Sequence, residues 1–203
     1  LLAAIALLAF FPLAAQAQLF GASLNGFNRG NPGPSSLYQV DPITGAGTLI
    51  GDIGYAVNAM AIDPATGTLY ASTAWWNVGF NGLLQIDPDT GAATEIGTFG
   101  DNAILNLAFN STGDLWAWCE FGSLGCNDDP VTIDKASGAL TLIGEAGIST
   151  LGNLLAFDLS DDLFMFLGFD VYSIDLVTGL ATFDKNLGFD PGEGGGTTDT
   201  AGT

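Results

Sequence analysis

An all-β fold, a β-propeller of four-stranded antiparallel blades, is predicted by two alternating hairpin repeats and by the composition. The first hairpin reads QVDPITGAGTLIG from Gln39, QIDPDTGAATEIG from Gln85, TIDKASGALTLIG from Thr132 and SIDLVTGLATFD from Ser173. Its anchors, Asp41, Asp87, Asp134 and Asp175, stand 46, 47 and 41 residues apart. The second hairpin falls between them: MAIDPATGTLYAS from Met60, LAFNSTGDLWAW from Leu107 and LAFDLSDDLFMF from Leu155. Its anchors, Asp63, Asn110 and Asp158, stand 47 and 48 apart. A period that holds two different hairpins means four strands per repeat, the mark of a propeller. The composition agrees: 29 of 203 residues are Gly and only 12% are charged, so turns and backbone supply much of the polarity.

The elements follow in chain order. Residues 1–17, LLAAIALLAFFPLAAQA, form an apolar run ending in Ala15-Gln16-Ala17, the A-x-A pattern of a cleaved export signal. The run is too short and wrongly flanked for a membrane span. Cleavage before Gln18 leaves 186 residues (203 less 17), enough for one domain with a real core. The repeats then occupy 18–186, as blades at about 19–51, 56–98, 103–145 and 152–185. Naming the strands of each blade A to D from the axis outward, strand A reads L/M-A-F/I. It sets Ala61, Ala108 and Ala156 on one face and Ile62, Phe109 and Phe157 on the other. Strand B carries Leu then an aromatic: Leu19-Phe20, Leu69-Tyr70, Leu115-Trp116 and Leu163-Phe164. Tyr70, Trp116 and Phe164 recur in one column, which reads as packing between blades.

The first blade lacks its strand A, so fifteen strands are expected. The tail, 187–203, is a Gly/Thr/Asp-rich linker in which Leu187-Gly188-Phe189-Asp190-Pro191 echoes L-A-F-D-P. Two readings stay open: a ring closed as four blades by a strand from that tail, or an arc of a longer propeller. The absence of an initiator Met favours the longer propeller.

The D-P-x-T-G hairpins explain the abundance of Asp. Asp accepts from the N–H groups of its own turn, Pro presets φ, and Gly takes the left-handed corner. The stretch Asp87-Pro88-Asp89-Thr90-Gly91 also looks like a calcium loop, but it is one residue short of that pattern. The sister turns carry Ile43, Ala136 or Val177 in place of Asp89. The turn reading is preferred, no cofactor and no metal ligand set is expected, and calcium is the one ion left open.

Cys119 and Cys126, in CEFGSLGC, read as a disulfide closing a small loop in an oxidising compartment. Two thiols without His cannot complete an ordinary zinc site. The repeats LYQVDPITGAGTLIG and MAIDPATGTLYAS resemble those of uncharacterised exported bacterial propeller proteins built on L-Y-x-I-D-P-x-T-G-x-x-T-x-I-G units. The likeness covers residues 37–185 and implies fold and export, with no activity attached.

The formal net charge is −19, with only Arg29, Lys135 and Lys185 positive and no His. Such a surface repels phosphate backbones and anionic lipids, which argues against nucleic-acid and membrane-surface roles. The chain is expected as a monomer outside the cytoplasm: secreted, periplasmic or at the cell surface. The A–B and C–D turns lie on one face of a propeller, and the B–C and D–A loops on the other. The turns are uniform, while the B–C loops at 25–36, 74–82 and 119–129 vary. Variable loops on a rigid scaffold are where binding resides. Trp75, Trp76, Phe80, Trp118 and Phe121, beside Arg29, are therefore the candidate platform for a glycan or a protein. The competing reading has these rings capping the core.

Weaker candidates are Asn58, Asn106 and Asn153 near the channel mouth, which also suit backbone satisfaction. Asp128 and Asp129 suit a calcium site or, preferably, a solvated acidic loop. Asn110-Ser111-Thr112 matches a glycosylation acceptor but sits in a tight turn. No catalytic grouping is visible, so a binding or structural module leads. A carboxylate-based carbohydrate-active enzyme is the alternative.

Overall fold

The computed structural model of the chain describes residues 18–24, 33–74, 79–149 and 154–188. Among them are fifteen strands in four antiparallel sheets. The first blade is β1 (Leu19–Leu24), β2 (Ser35–Val40) and β3 (Gly47–Asp52). The second is β4 (Val57–Ile62), β5 (Leu69–Thr73), β6 (Gly82–Ile86) and β7 (Ala93–Thr98). The third is β8 (Ile104–Phe109), β9 (Leu115–Phe121), β10 (Asn127–Ile133) and β11 (Leu140–Leu142). The fourth is β12 (Leu154–Phe157), β13 (Leu163–Leu167), β14 (Asp170–Ile174) and β15 (Ala181–Asn186). Each strand pairs with its sequence neighbour, as a meander must, and the first sheet has three strands where the others have four. No helix among the described residues is long and apolar enough to cross a membrane.

The hairpins set the register. Ile62 lies opposite Leu69, Phe109 opposite Leu115, and Phe157 opposite Leu163. Ala61, Ala108 and Ala156 follow opposite Tyr70, Trp116 and Phe164. With side chains alternating between faces, this register sends the strand-B aromatic toward the following blade. Tyr70 meets Phe109 with ring centroids 5.7 Å apart, and Trp116 meets Phe157 edge-on at 6.0 Å. Three apolar clusters fill the junctions in series. Leu37 joins Leu69 and Leu84 between the first two blades. Leu83 joins Leu115 and Val131 in the next junction, and Trp116 joins Leu155 and Met165 in the last.

The C–D turns form as their sequence requires. Asp87 Oδ1 accepts from the N–H of Asp89 at 2.8 Å and of Thr90 at 3.3 Å, while Gly91 turns the corner at φ 79°. Asp41, Asp134 and Asp175 repeat the arrangement on their own turns. These N–H groups hold the Asp41 and Asp175 carboxyls below the ordinary range. They do the same for Asp87, and for Asp134 the Ser137 hydroxyl adds the largest share.

A second use of glycine appears between blades. Gly91 lies on Gly51 of the preceding blade, where an added Cβ would come 2.9 Å from the Gly51 carbonyl carbon. A Cβ on Gly51 would collide with the Thr90 carbonyl oxygen. Gly138 meets Gly97, and Gly179 meets Gly144, in the same way. The turn glycine thus serves two needs, a left-handed φ and a backbone-to-backbone contact. Gly45, the equivalent turn glycine of the first blade, has no atom within 4 Å of its would-be Cβ.

Of the tail echo at 187–191, the structure describes Leu187 and Gly188. The Leu187 N–H donates to the Phe169 carbonyl at 2.7 Å, which keeps Leu187 beside the β13–β14 turn at the outer part of the fourth blade. Phe189 and the residues after it lie outside the described residues.

Candidate functional site

The B–C loop face is built where the second and third blades meet. Asn81, just before β6, donates through Nδ2 to the carbonyls of Gly100 at 3.0 Å and Asn102 at 2.9 Å. Asn102 in turn donates to the Phe99 carbonyl at 2.6 Å and accepts from the Leu124 N–H at 3.0 Å. Asp101 accepts from both the N–H and the hydroxyl of Ser123, at 3.1 and 2.5 Å, which keeps its carboxyl below the ordinary range. Two B–C loops and the D–A loop between them are therefore one hydrogen-bonded unit.

A disulfide closes this unit. Cys119 and Cys126 are bonded with Cα atoms 6.0 Å apart, as the sequence predicts, and both are buried. The bridge ties the end of β9 to the start of β10 and pins residues 120–125 over the core.

The candidate rings separate sharply. Phe121, the last residue of β9, is 39% exposed at the start of the stapled loop. Phe80 is half-buried and packs edge-on against Tyr55, with ring centroids 5.9 Å apart. Trp118 is a correction to the platform: it is fully buried, at 0% exposure. The reason is that the position belongs to strand B and not to the B–C loop: Trp118 is the fourth residue of β9, as Ser72 is of β5 and Phe166 of β13. Two residues beyond Trp116, Trp118 falls on the same face and packs with it against Ala146, Leu155 and Met165. Trp75, Trp76 and Arg29 lie outside the described residues.

Asp128 and Asp129 are a second correction, because both are buried rather than solvated. Asp129 accepts from the N–H of Asn127 and of Ala146, each at 2.8 Å, and so pins the D–A loop to β10. Asp128, at φ 63°, accepts from the Ser149 hydroxyl at 3.2 Å. Burial pushes the neighbouring Glu120 carboxyl up, and the charge of Asp128 pushes it further. Among the described residues, no group of three or more His, Cys, Asp or Glu side chains is arranged to hold a metal ion.

Asn58 donates to the Ile104 carbonyl of the next strand A at 3.1 Å, which is backbone satisfaction across a junction. Asn153 lies outside the described residues. One cross-blade contact involves a residue that the sequence marks only as one of three cations. Lys135 stands where two sister turns carry Pro, and its Nζ reaches Asp63 Oδ2 of the preceding blade at 2.6 Å. Asp63 is 1% exposed. Burial alone would push its carboxyl up, but the Lys135 ammonium and the Ala65 N–H outweigh that and hold it below the ordinary range. The missing Pro was the available signal, because a turn that gives up a preset φ has another use for the position.

No family model and no curated protein matches the chain. Solved structures do, and the two described next are β-propellers, the class this fold defines. One is a chain from the crystal structure of a nidogen/laminin complex, at TM-score 0.58 and 10% identity, covering 81% of this chain and 60% of that one. Another is virginiamycin B lyase from Staphylococcus aureus, at TM-score 0.45 and 14% identity, covering 74% and 48%. This chain therefore spans about half to three fifths of the length of the structures it matches.

Proposed function

We propose that the chain is an exported, acidic propeller that acts as a binding module, with the B–C loop face as its recognition surface and a protein as its ligand. The carrying observation is the hydrogen-bonded, disulfide-stapled loop unit at whose edge Phe121 is 39% exposed. A rigid loop has already lost the freedom that binding would otherwise remove, so an exposed ring on it is a ready anchor. The neighbour of TM-score 0.58, solved as a nidogen/laminin complex, favours a protein ligand over a glycan. Export accords with the disulfide and with the apolar leader at residues 1–17.

The test is to screen the purified chain on an array of extracellular proteins and on a glycan array, then to repeat positive hits with Phe121→Ala. The expected result is a protein hit weakened about tenfold or more, with the melting temperature unchanged. A hit indifferent to Phe121→Ala places recognition elsewhere. Turnover of a polysaccharide that Glu120→Gln abolishes supports the enzyme reading instead, since Glu120 has the raised carboxyl that proton transfer uses.

A further inference from the structure

Two unrelated packing demands place Asn81 beside Gly82 at the entry to β6. Gly82 must lack a side chain, because a Cβ there would collide with the Gly97 carbonyl oxygen and the Phe80 ring. Asn81 must donate twice, because its Nδ2 serves the carbonyls of both Gly100 and Asn102. Asn is among the chemically labile side chains. A glycine after it removes the Cβ that would shield the next main-chain nitrogen from the Asn carboxamide. We propose that Asn81-Gly82 is a conditional deamidation site: closed in the folded loop unit, open whenever that unit comes apart, and irreversible once used. No ligand of the loop face enters into it.

The reaction needs water and no enzyme. The Gly82 main-chain nitrogen gives up its proton and attacks Asn81 Cγ. A ring N–Cγ bond forms, the Cγ–Nδ2 bond breaks, and Nδ2 takes up one proton through solvent and leaves as ammonia. Water then opens the cyclic imide, adding hydroxyl to one carbonyl carbon and a proton to the nitrogen. Opening at Cγ yields aspartate at position 81. Opening at the main-chain carbonyl yields isoaspartate, with the chain rerouted through the former side chain.

The fold blocks this route at each of its atoms. The Gly82 N–H donates to Thr73 Oγ1 at 2.8 Å, which holds its proton, and the same hydroxyl donates to Asn81 Oδ1 at 3.4 Å. The amide that must leave is held by two carbonyls, at 3.0 and 2.9 Å. The Asn81 main-chain oxygen accepts from the Phe99 N–H at 2.8 Å and the Thr98 hydroxyl at 2.9 Å, which fixes the backbone. Gly82 and Thr73 are both buried.

Conversion removes what fastens the unit. A carboxylate at position 81 has no proton to offer, so the Gly100 and Asn102 carbonyls lose their donor and face a negative charge. Asn102 also receives the Leu124 N–H of the stapled loop, so the loss passes across the blade junction. A chain whose loop unit stays open long enough to react is thereby prevented from rebuilding it.

The experiment incubates three samples in mildly alkaline buffer: the native chain, the chain unfolded in urea, and a capped peptide, Phe-Asn-Gly-Leu-Leu, copied from residues 80–84. Peptide mapping reads aspartate and isoaspartate at position 81. The peptide and the unfolded chain should convert at similar rates, and the native chain about tenfold more slowly or less. Thr73→Val keeps the shape and removes the hydroxyl, so it should speed conversion of the native chain about threefold or more. Asn81→Asp, with the disulfide kept oxidised, should speed exchange of the Leu124 amide hydrogen about tenfold. Conversion of the native chain at the peptide's rate overturns the inference, as does an unfolded chain that stays unmodified at position 81. An unchanged Leu124 rate in Asn81→Asp overturns the claim that conversion unfastens the unit. If Thr73→Val does not fold, the comparison of native and unfolded chain decides alone.

Discussion

Lys135 shows how much one substitution within a repeat can carry. The turn it belongs to keeps Asp134 and Gly138 but gives up Pro, and the gain is an ion pair across two blades with a carboxylate that water scarcely reaches. Its ammonium also lies 5.4 Å from the Phe109 ring centroid, a favourable distance for a cation over an aromatic face. Removing one partner of a buried pair costs more than the pair contributes, because the other charge is stranded. Lys135→Met should therefore cost about 2–3 kcal/mol, the low end reflecting a lysine that is one-third exposed. Adding Asp63→Asn should recover most of it, since Asn110 fills the same turn position in the third blade; urea melts of the single and double variants check both. Glu120 works in the opposite sense. Its carboxyl is raised in the fold, so the folded state holds its proton more tightly than the unfolded chain does. Stability from this group is present below the ordinary glutamate range and is lost as pH rises through the raised value. Glu120→Gln should raise the melting temperature at pH 7 and leave it unchanged at pH 4.

Strands explain why some residues were legible in the sequence and others were not. Tyr70, Trp116 and Phe164 could be placed because they recur at one position of strand B, and two of the three are seen at junctions with a strand-A ring. Trp118 was misplaced because its column is irregular, with Ser72 in the second blade and Phe166 in the fourth, although the position lies in strand B in all three. Trp118→Ala should cost about 3–5 kcal/mol, while Phe121→Ala, three residues on, should stay within about 1 kcal/mol; paired thermal melts decide. Asp128 and Asp129 read as solvated because carboxylates usually are. The partner that buries Asp129 is the N–H of Ala146, in a loop that no local pattern connects to it. Gly51 and Gly97 in strand D, and Gly144 just after it in the third blade, were visible as a recurring letter. Their partners lie one blade on, in a contact that spacing does not announce. Gly97→Ala places a methyl against the Ser137 carbonyl oxygen, and backbone cannot swing aside as a side chain can. It should cost at least about 2 kcal/mol in a denaturant melt.

At the level of the whole molecule, two electrostatic effects pull against each other with pH. The chain carries 22 acidic groups against three cations, so the folded state repels itself at neutral pH. Acidification toward the sequence pI of about 4.1 relieves that repulsion. The turn carboxylates Asp41, Asp87, Asp134 and Asp175 behave otherwise. Their lowered values mean a contribution present above the ordinary aspartate range and lost as pH falls through the lowered values. The melting temperature should therefore rise as pH drops from neutrality, pass a maximum near the pI, and fall in stronger acid. At pH 7, sodium chloride at about 0.5 M should raise it by screening the repulsion. A flat salt response would mean that the acidic groups are too far apart, or too well paired, to oppose folding.

The glycine contacts between blades bear on how such a chain can grow. The second and third blades each bring one mating surface on the C–D turn and another at the end of strand D, and where these meet their neighbours the contact is main chain against main chain. Nothing in that joint depends on which side chains a given repeat happens to carry. A duplicated segment of the gene would arrive with both surfaces already cut to fit, whatever its own core and loops had become. Blade number is then a quantity that duplication can change in single steps. The loop-bearing edge diverges freely meanwhile, one copy at a time, without disturbing the spacing of its neighbours.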